Sequence, residues 1–284
     1  MGRPLYVVIH LYKTAGKALL RNFQQNLRRG ELLSMYAPQI GLDKAQGSAN
    51  PGWNEDVVVN YLRLRLNDQV KCLFGHMTFY GIHELPQVKQ REVRYITFLR
   101  EPVSRIISLY NYLKYNSTNV WHDEIIANNW SIEEWLCQSR GLWIHNGQLR
   151  HLLLWQCKEV AYQRQLTQEH LRLGKEIIDN MWFLGTKETF DTDMYLLCRL
   201  LNFKYCSPDE RINVSNGDKQ VDNAIIEQIK QDNDLDCALY AYACQVHADR
   251  YERHINVHHR QRFSYMQNIL SLFRKHKKTQ ILQT

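Results

Sequence analysis

Residues 5–20 read LYVVIHLYKTAGKALL, a β-branched apolar run that breaks at Lys-Thr-Ala-Gly and resumes as a helix former. LYVVIH suits a buried strand, and Leu19, Leu20, Phe23 and Leu27 recur at helical spacing over residues 17–29. A strand that passes through a short loop into a helix commits the chain to an α/β arrangement, because the next parallel strand is reached only by crossing over the sheet. The strand pattern returns at residues 70–74 (VKCLF), 94–99 (RYITFL) and 181–184 (MWFL). Pro102 suits the first turn of a helix over 102–115, and further helices are predicted at 131–138, 148–156, 168–179, 187–201, 218–231 and 235–255. Residues 30–54, rich in Gly, Pro, Ser and Asn, read as an irregular connection.

Strands alternating with helices imply an α/β fold with a mainly parallel sheet covered on both faces, whose ligands sit beyond the carboxyl ends of the strands. The turn after Leu11 and the junction Leu99-Arg100 both lie there. A chain of 284 residues that is 44% hydrophobic can bury one large core, so a single domain over 1–260 is expected, followed by a basic helix or tail over 261–284. The formal charge of +7 favours anionic partners, such as nucleotides and sulfated or carboxylated glycans. No basic-aromatic nucleic-acid motif accompanies it, so no nucleic-acid partner is expected.

The seven cysteines are scattered, odd in number and lack metal-ligand spacing, which points to reduced thiols. No stretch approaches the roughly 20 apolar residues of a membrane span, and 5–11 is too short for a signal peptide. A cytoplasmic protein is the expectation. Three glycosylation acceptor patterns, at Asn116, Asn129 and Asn213, keep open the alternative of a lumenal catalytic domain separated from its anchor.

Backbone amides at a strand-to-helix turn face outward with the positive end of the helix dipole behind them, so Lys13-Thr-Ala-Gly-Lys-Ala18 is a candidate phosphate or sulfate cradle. Gly16 admits an oxyanion, Thr14 offers a hydroxyl, and Lys13 and Lys17 add charge. Aligned on GxxxxGK[ST], the loop places Leu11 at the first glycine and Ala18 at the magnesium-binding hydroxyl. Both tests fail, which directs attention to a nucleotide whose reacting group is handled without a metal.

A second candidate anchor lies in YITFLREPVSRIISLYNYL, where Arg100 ends a strand beside a Pro-started helix and Ser108 follows two turns in. Arg is the preferred phosphate reader and a hydroxyl supplements it. With Arg100, Glu101, Pro102, Arg105, Ser108 and Tyr110 matching R-[DE]-P-x-x-R-x-x-S-x-Y, and KTAGK matching the start of K-T-[AG]-G-[TS]-[TS], the chain resembles PAPS-dependent sulfotransferases, the group of heparan sulfate 2-O-sulfotransferase-like and bacterial carbohydrate enzymes. PAPS is 3′-phosphoadenosine 5′-phosphosulfate. The resemblance extends through Asn146-Gly-Gln-Leu-Arg150, residues 183–197, Arg211-Ile-Asn-Val-Ser215 and residues 234–243, nearly the whole chain.

The resemblance implies a P-loop-like sulfotransferase fold in which Lys13, Thr14, Ala15, Gly16, Lys17 and Ala18 hold the 5′-phosphosulfate. Arg100 and Ser108 hold the 3′-phosphate, and Asn213 and Ser215 also contact the donor. It departs at Lys17 and Ala18, where the family has small hydroxyl residues, so two hydroxyl contacts are missing, and Lys17 either compensates with charge or points to solvent. A base near neutral pKa suits acceptor activation, and the resemblance gives that role to His76 in LFGHMTF; Lys13 would neutralise the leaving phosphate. His83, Asn146, Gln148 and Arg150 are candidates for the acceptor. The expected reaction is metal-free transfer from PAPS to a carbohydrate hydroxyl. The alternatives are a small-molecule or lipid alcohol as acceptor, a non-catalytic glycan- or anion-binding module, and a P-loop kinase.

Overall fold

The computed structural model describes residues 3–41, 54–115, 120–138, 142–161, 165–207 and 221–258. Among these, β1 (Leu5–Ile9), β2 (Leu32–Ser34), β3 (Cys72–Gly75), β4 (Val93–Leu99) and β5 (Phe183–Thr186) form one sheet in the order β2-β3-β1-β4-β5. Every pairing is parallel: Ile9 stands beside Gly75 on one side and Thr97 on the other, and Leu99 beside Thr186. The helices are α1 (Gly16–Asn26), α2 (Glu55–Arg65), α3 (Pro102–Tyr115), α4 (Val120–Ala127), α5 (Ile132–Gln138), α6 (Gly147–Leu153), α7 (Gln168–Asp179), α8 (Phe190–Leu200), α9 (Asn223–Asp232) and α10 (Asp234–His258). The expected α/β fold with a parallel sheet is what the chain adopts.

Strand alternation assigns the faces. Val8, Phe74, Ile96, Phe98 and Phe183 point to one side, where Ala18, Leu19 and Phe23 of α1 and Phe190, Met194 and Leu197 of α8 close over them. Burying such side chains stabilises by about 1.5–3 kcal/mol each, enough to fix the depth of α1 and hence of the loop before it. A second cluster joins Val103, Ile106, Tyr110 and Leu113 of α3 to Trp135 of α5 and Ile229 of α9.

The order β3-β1-β4 brings the ends of those three strands side by side, so His10, His76 and Arg100 emerge at one edge although the sequence separates them widely. Three elements escaped sequence reading. The edge strand β2 is only three residues long; α2 begins at an Asn54 cap with Glu55 and Asp56 in its first turn and Arg63 and Arg65 in its last, signals the sequence reading passed over, and α4 is two turns long with a single acidic residue in its first turn. By its contacts the chain divides into units 1–244 and 245–284, with α10 beginning in the first and running into the second. In the second unit His247 is buried and stacks on Tyr251 with centroids 6.0 Å apart. The tail over 261–284 lies outside the described residues.

Candidate active site

The loop between β1 and α1 holds two non-glycine residues in the left-handed region, Lys13 at φ 69° and Ala15 at φ 66°. That conformation disfavours a Cβ by about 1–2 kcal/mol and survives only where packing imposes it. The bend leads directly into α1, whose first amides have no partner within the helix. Thr14 is buried, and its hydroxyl donates to the Leu11 carbonyl at 2.9 Å. The expected hydroxyl contact to an anion is therefore already spent on tightening the loop, leaving Thr14 its backbone amide. Lys17 is exposed, and Ala18 is buried in the cluster beneath α1.

Gly16 is required for a packing reason. A Cβ there would lie 1.6 Å from His10 Nε2, so only glycine lets the His10 ring rest on the first turn of α1. His10 meets the Tyr36 hydroxyl through Nδ1 at 2.9 Å and stacks on His76, with centroids 4.2 Å apart and planes inclined 23°. The other face of His76 is covered by Tyr12, centroid distance 3.9 Å and interplanar angle 13°. His76 Nδ1 lies 2.7 Å from the His10 carbonyl oxygen. A carbonyl only accepts, so Nδ1 carries the proton and Nε2 is left with the lone pair. Burial lowers the His76 pKa to about 4, the bond to the His10 carbonyl working in the opposite direction. The ring is neutral at physiological pH and its Nε2 is able to accept a proton.

Arg100 reaches the same loop from β4: its Nη1 donates to the Lys13 carbonyl at 3.1 Å. Its Nε is buried without a hydrogen-bond partner, an orphaned charged donor next to an anion cradle. The Lys13 ammonium lies 4.1 Å from the centroid of the Tyr112 ring on α3. Burial, then the Arg100 and Lys17 charges, lower its pKa to about 8. Ser108, half-buried, is one turn before Tyr112 on the same face of α3. The amide end of α3 is not an anion site, because the Glu101 carboxylate accepts from Val103 N at 2.9 Å and Ser104 N at 2.7 Å. The side chains of Lys13 and Arg100 thus converge on the loop before α1.

No protein-family model matches the chain. Heparan-sulfate 6-O-sulfotransferase 1 of Gallus gallus is 26% identical over 278 residues, covering 85% of this chain and 65% of the relative. Over most of its length the chain is similar to heparan-sulfate sulfotransferases. Heparan-sulfate 6-O-sulfotransferase 3 of Mus musculus is 24% identical, covering 91% of this chain and 60% of the relative, and heparan-sulfate 6-O-sulfotransferase 1 of Homo sapiens is 24% identical, covering 88% and 67%. The chain thus spans roughly 60–67% of the length of these relatives. They carry the 6-O name, where the sequence motifs suggested the 2-O branch. A sulfotransferase structure from Alicyclobacillus acidocaldarius aligns over 87% of this chain and 97% of its own at 16% identity, with a TM-score of 0.41.

The residues read from the sequence as acceptor contacts occupy other places. Asn146, Gln148 and Arg150 are all buried. Asn146 Oδ1 accepts from Asp236 N at 2.8 Å, and Arg150 donates to the carbonyls of His145 and Val160, both at 2.7 Å. Gln148 clamps the Arg100 peptide, accepting from its N–H and donating to its carbonyl, both at 2.9 Å. These side chains hold the site's walls and do not face an open cleft. His83 binds the Tyr95 hydroxyl through Nδ1 at 2.8 Å, at a strand position about 13 Å back from the end of β4. Asn213 and Ser215 lie outside the described residues.

Sequence reasoning missed His10, Tyr12, Tyr36 and Tyr112, which pack against His76 and Lys13. The position of His10, directly at the end of a predicted strand, was the available signal. Among the described residues one group has metal-ligand proximity, Cys157, Glu159 and His170. The Thr167 amide donates to His170 Nδ1 at 3.0 Å, so Nε2 bears the hydrogen and has no lone pair to give.

Proposed function

We propose that the chain transfers a sulfuryl group from PAPS to a hydroxyl of a carbohydrate acceptor, without a metal. The observation that carries this reading is the single edge at which a neutral imidazole with a free Nε2 stands beside a cradle flanked by Lys13 and Arg100. The unpartnered Arg100 Nε and the outward amides of α1 suit a doubly phosphorylated nucleotide. The names of the relatives support a glycan acceptor.

In this reading His76 Nε2 takes the proton of the acceptor hydroxyl as its oxygen bonds to sulfur. The bond from sulfur to the bridging oxygen breaks, and the electron pair stays on the phosphate of the departing 3′,5′-ADP, next to the Lys13 ammonium. Stabilising that charge in a dry site is typically worth several kcal/mol of barrier. Ala18 and Leu11, where a kinase loop has a hydroxyl and a glycine, support this chemistry over phosphoryl transfer.

Radiolabelled sulfate transfer from PAPS across an oligosaccharide panel, with calorimetric titration of 3′,5′-ADP, tests the assignment. His76→Ala should lower kcat by 10²–10⁴-fold with nucleotide affinity nearly intact. Arg100→Ala should raise the nucleotide Kd at least tenfold. An active His76→Ala enzyme removes the base, and an unchanged Kd removes Arg100 from the cradle.

A further inference from the structure

Next to the base lies a second polar group that the transfer chemistry leaves idle. His151, on α6, is 1% exposed, and neither of its ring nitrogens has a hydrogen-bond partner. The Thr78 backbone lies near the ring without hydrogen-bond geometry. The neighbouring Trp143 indole, with its centroid 5.7 Å from that of His151, also has a buried and unpartnered Nε1. The Tyr12 ring, which covers His76, touches both: its centroid is 6.3 Å from His151 and 6.3 Å from Trp143. Buried polar atoms without partners are rare in folded chains, and two adjacent ones beside a candidate base call for a ligand.

We propose that His151 and Trp143 form an acceptor subsite that reads a neutral hydroxyl beside the hydroxyl handed to His76; it rests on the transfer reading above. The donor set defines the ligand class. A neutral imidazole offers one N–H and one lone pair, the complement of a hydroxyl that both accepts and donates, and the indole adds one donor. His151 stays neutral in this setting, since burial and the nearby His76 both oppose its charging. Neither group carries the positive charge that a carboxylate or sulfate would demand at this depth. The ring faces of Tyr12 and Trp143 supply apolar surface for the carbon skeleton of a sugar. A polyol with adjacent hydroxyls fits, one going to Nε2 of His76 and its neighbour to His151. Tyr12 is half-buried and lies against both imidazoles, so its ring borders both hydroxyl positions.

The test uses the whole chain saturated with 3′,5′-ADP, titrated with chitohexaose as a neutral glycan and with heparosan hexasaccharide as a uronate-bearing one. The wild type should bind the neutral glycan. His151→Phe should weaken that binding at least tenfold with the nucleotide Kd within twofold of wild type. His151→Gln, which keeps a donor and an acceptor, should recover it to within about threefold, and Trp143→Phe should lose about fivefold. In transfer assays the His151→Phe loss should fall on KM with kcat largely kept. Equal glycan affinity in wild type and His151→Phe overturns the subsite, as does a wild type that binds only the uronate-bearing glycan. Glycan binding that depends on His151 without any sulfate transfer would overturn the transferase reading and leave the subsite standing.

Discussion

At the scale of single residues, the unusual group is Lys13, a lysine whose ammonium sits on an aromatic face with a guanidinium close by. Burial first, and Arg100 second, lower its pKa to about 8, so the side chain is charged at pH 7 and loses its proton within the range of an ordinary binding experiment. If Lys13 grips the phosphate end of the nucleotide, the affinity for 3′,5′-ADP falls only about twofold from pH 7 to 8. Above pH 8 it falls up to tenfold per pH unit, because the free chain must then take up a proton to bind. The sign follows from the depressed value: the neutral lysine dominates above it and offers no charge to the anion. Calorimetric titrations at pH 7 and 9 check this. Lys13→Arg should flatten the profile, and a wild-type affinity equal at both values would separate Lys13 from the nucleotide.

At the scale of elements, α6, which carries Gln148 and His151, is held at its amino end by α10. Asp236 of α10 accepts from Gln148 N at 3.0 Å and Leu149 N at 2.8 Å, capping α6, and lies 3.6 Å from the Arg105 guanidinium on α3. All three groups are buried. Removing one partner of such a pair strands the other, so Asp236→Ala should destabilise the fold by about 3–5 kcal/mol. The double variant Arg105→Met with Asp236→Leu should unfold later in urea than Asp236→Ala alone. Equal midpoints would mean that the ion pair contributes nothing beyond the cap. This network also separates what was legible in sequence from what was not. The strand-loop-helix of residues 5–26 and the Pro-started helix α3 announced themselves through local chemistry: β-branched runs, helical spacing and a proline at the first turn. Asn146, Gln148 and Arg150 carried no local sign of their partners, which lie 5 to 90 positions away, and a polar triplet reads equally well as a ligand contact or as internal scaffolding. The parallel order that sets His10 against His76 is a long-range property too, and it hid the stacking.

At the scale of the whole molecule, three neutral imidazoles are gathered at one end of the sheet, and this couples the fold to acidity. His10 is held well below the ordinary histidine range by burial and then by His76. Burial lowers His76 to about 4 and His151 to about 3. In the unfolded chain each titrates near 6.5, so below that value the unfolded state binds more protons and stability is lost as pH falls. Each histidine contributes a slope of up to about 1.4 kcal/mol per pH unit, felt from about pH 6.5 down to its folded value. This window lies above that of the carboxylates whose folded pKa is lowered, such as Glu31, which act below their ordinary value of 4.5. The thermal midpoint should therefore drop steeply between pH 6.5 and 5, with His151→Phe removing about one proton's worth of the slope. If His76 is the base, it keeps its lone pair down to about pH 4, so the acid limb of the rate profile should follow loss of the fold instead of titration of His76. Parallel measurements of midpoint and rate at half-unit steps decide between the two. A rate that falls at pH 6 while the midpoint stays level would mean that the base titrates in the open, contrary to its packing between His10 and Tyr12.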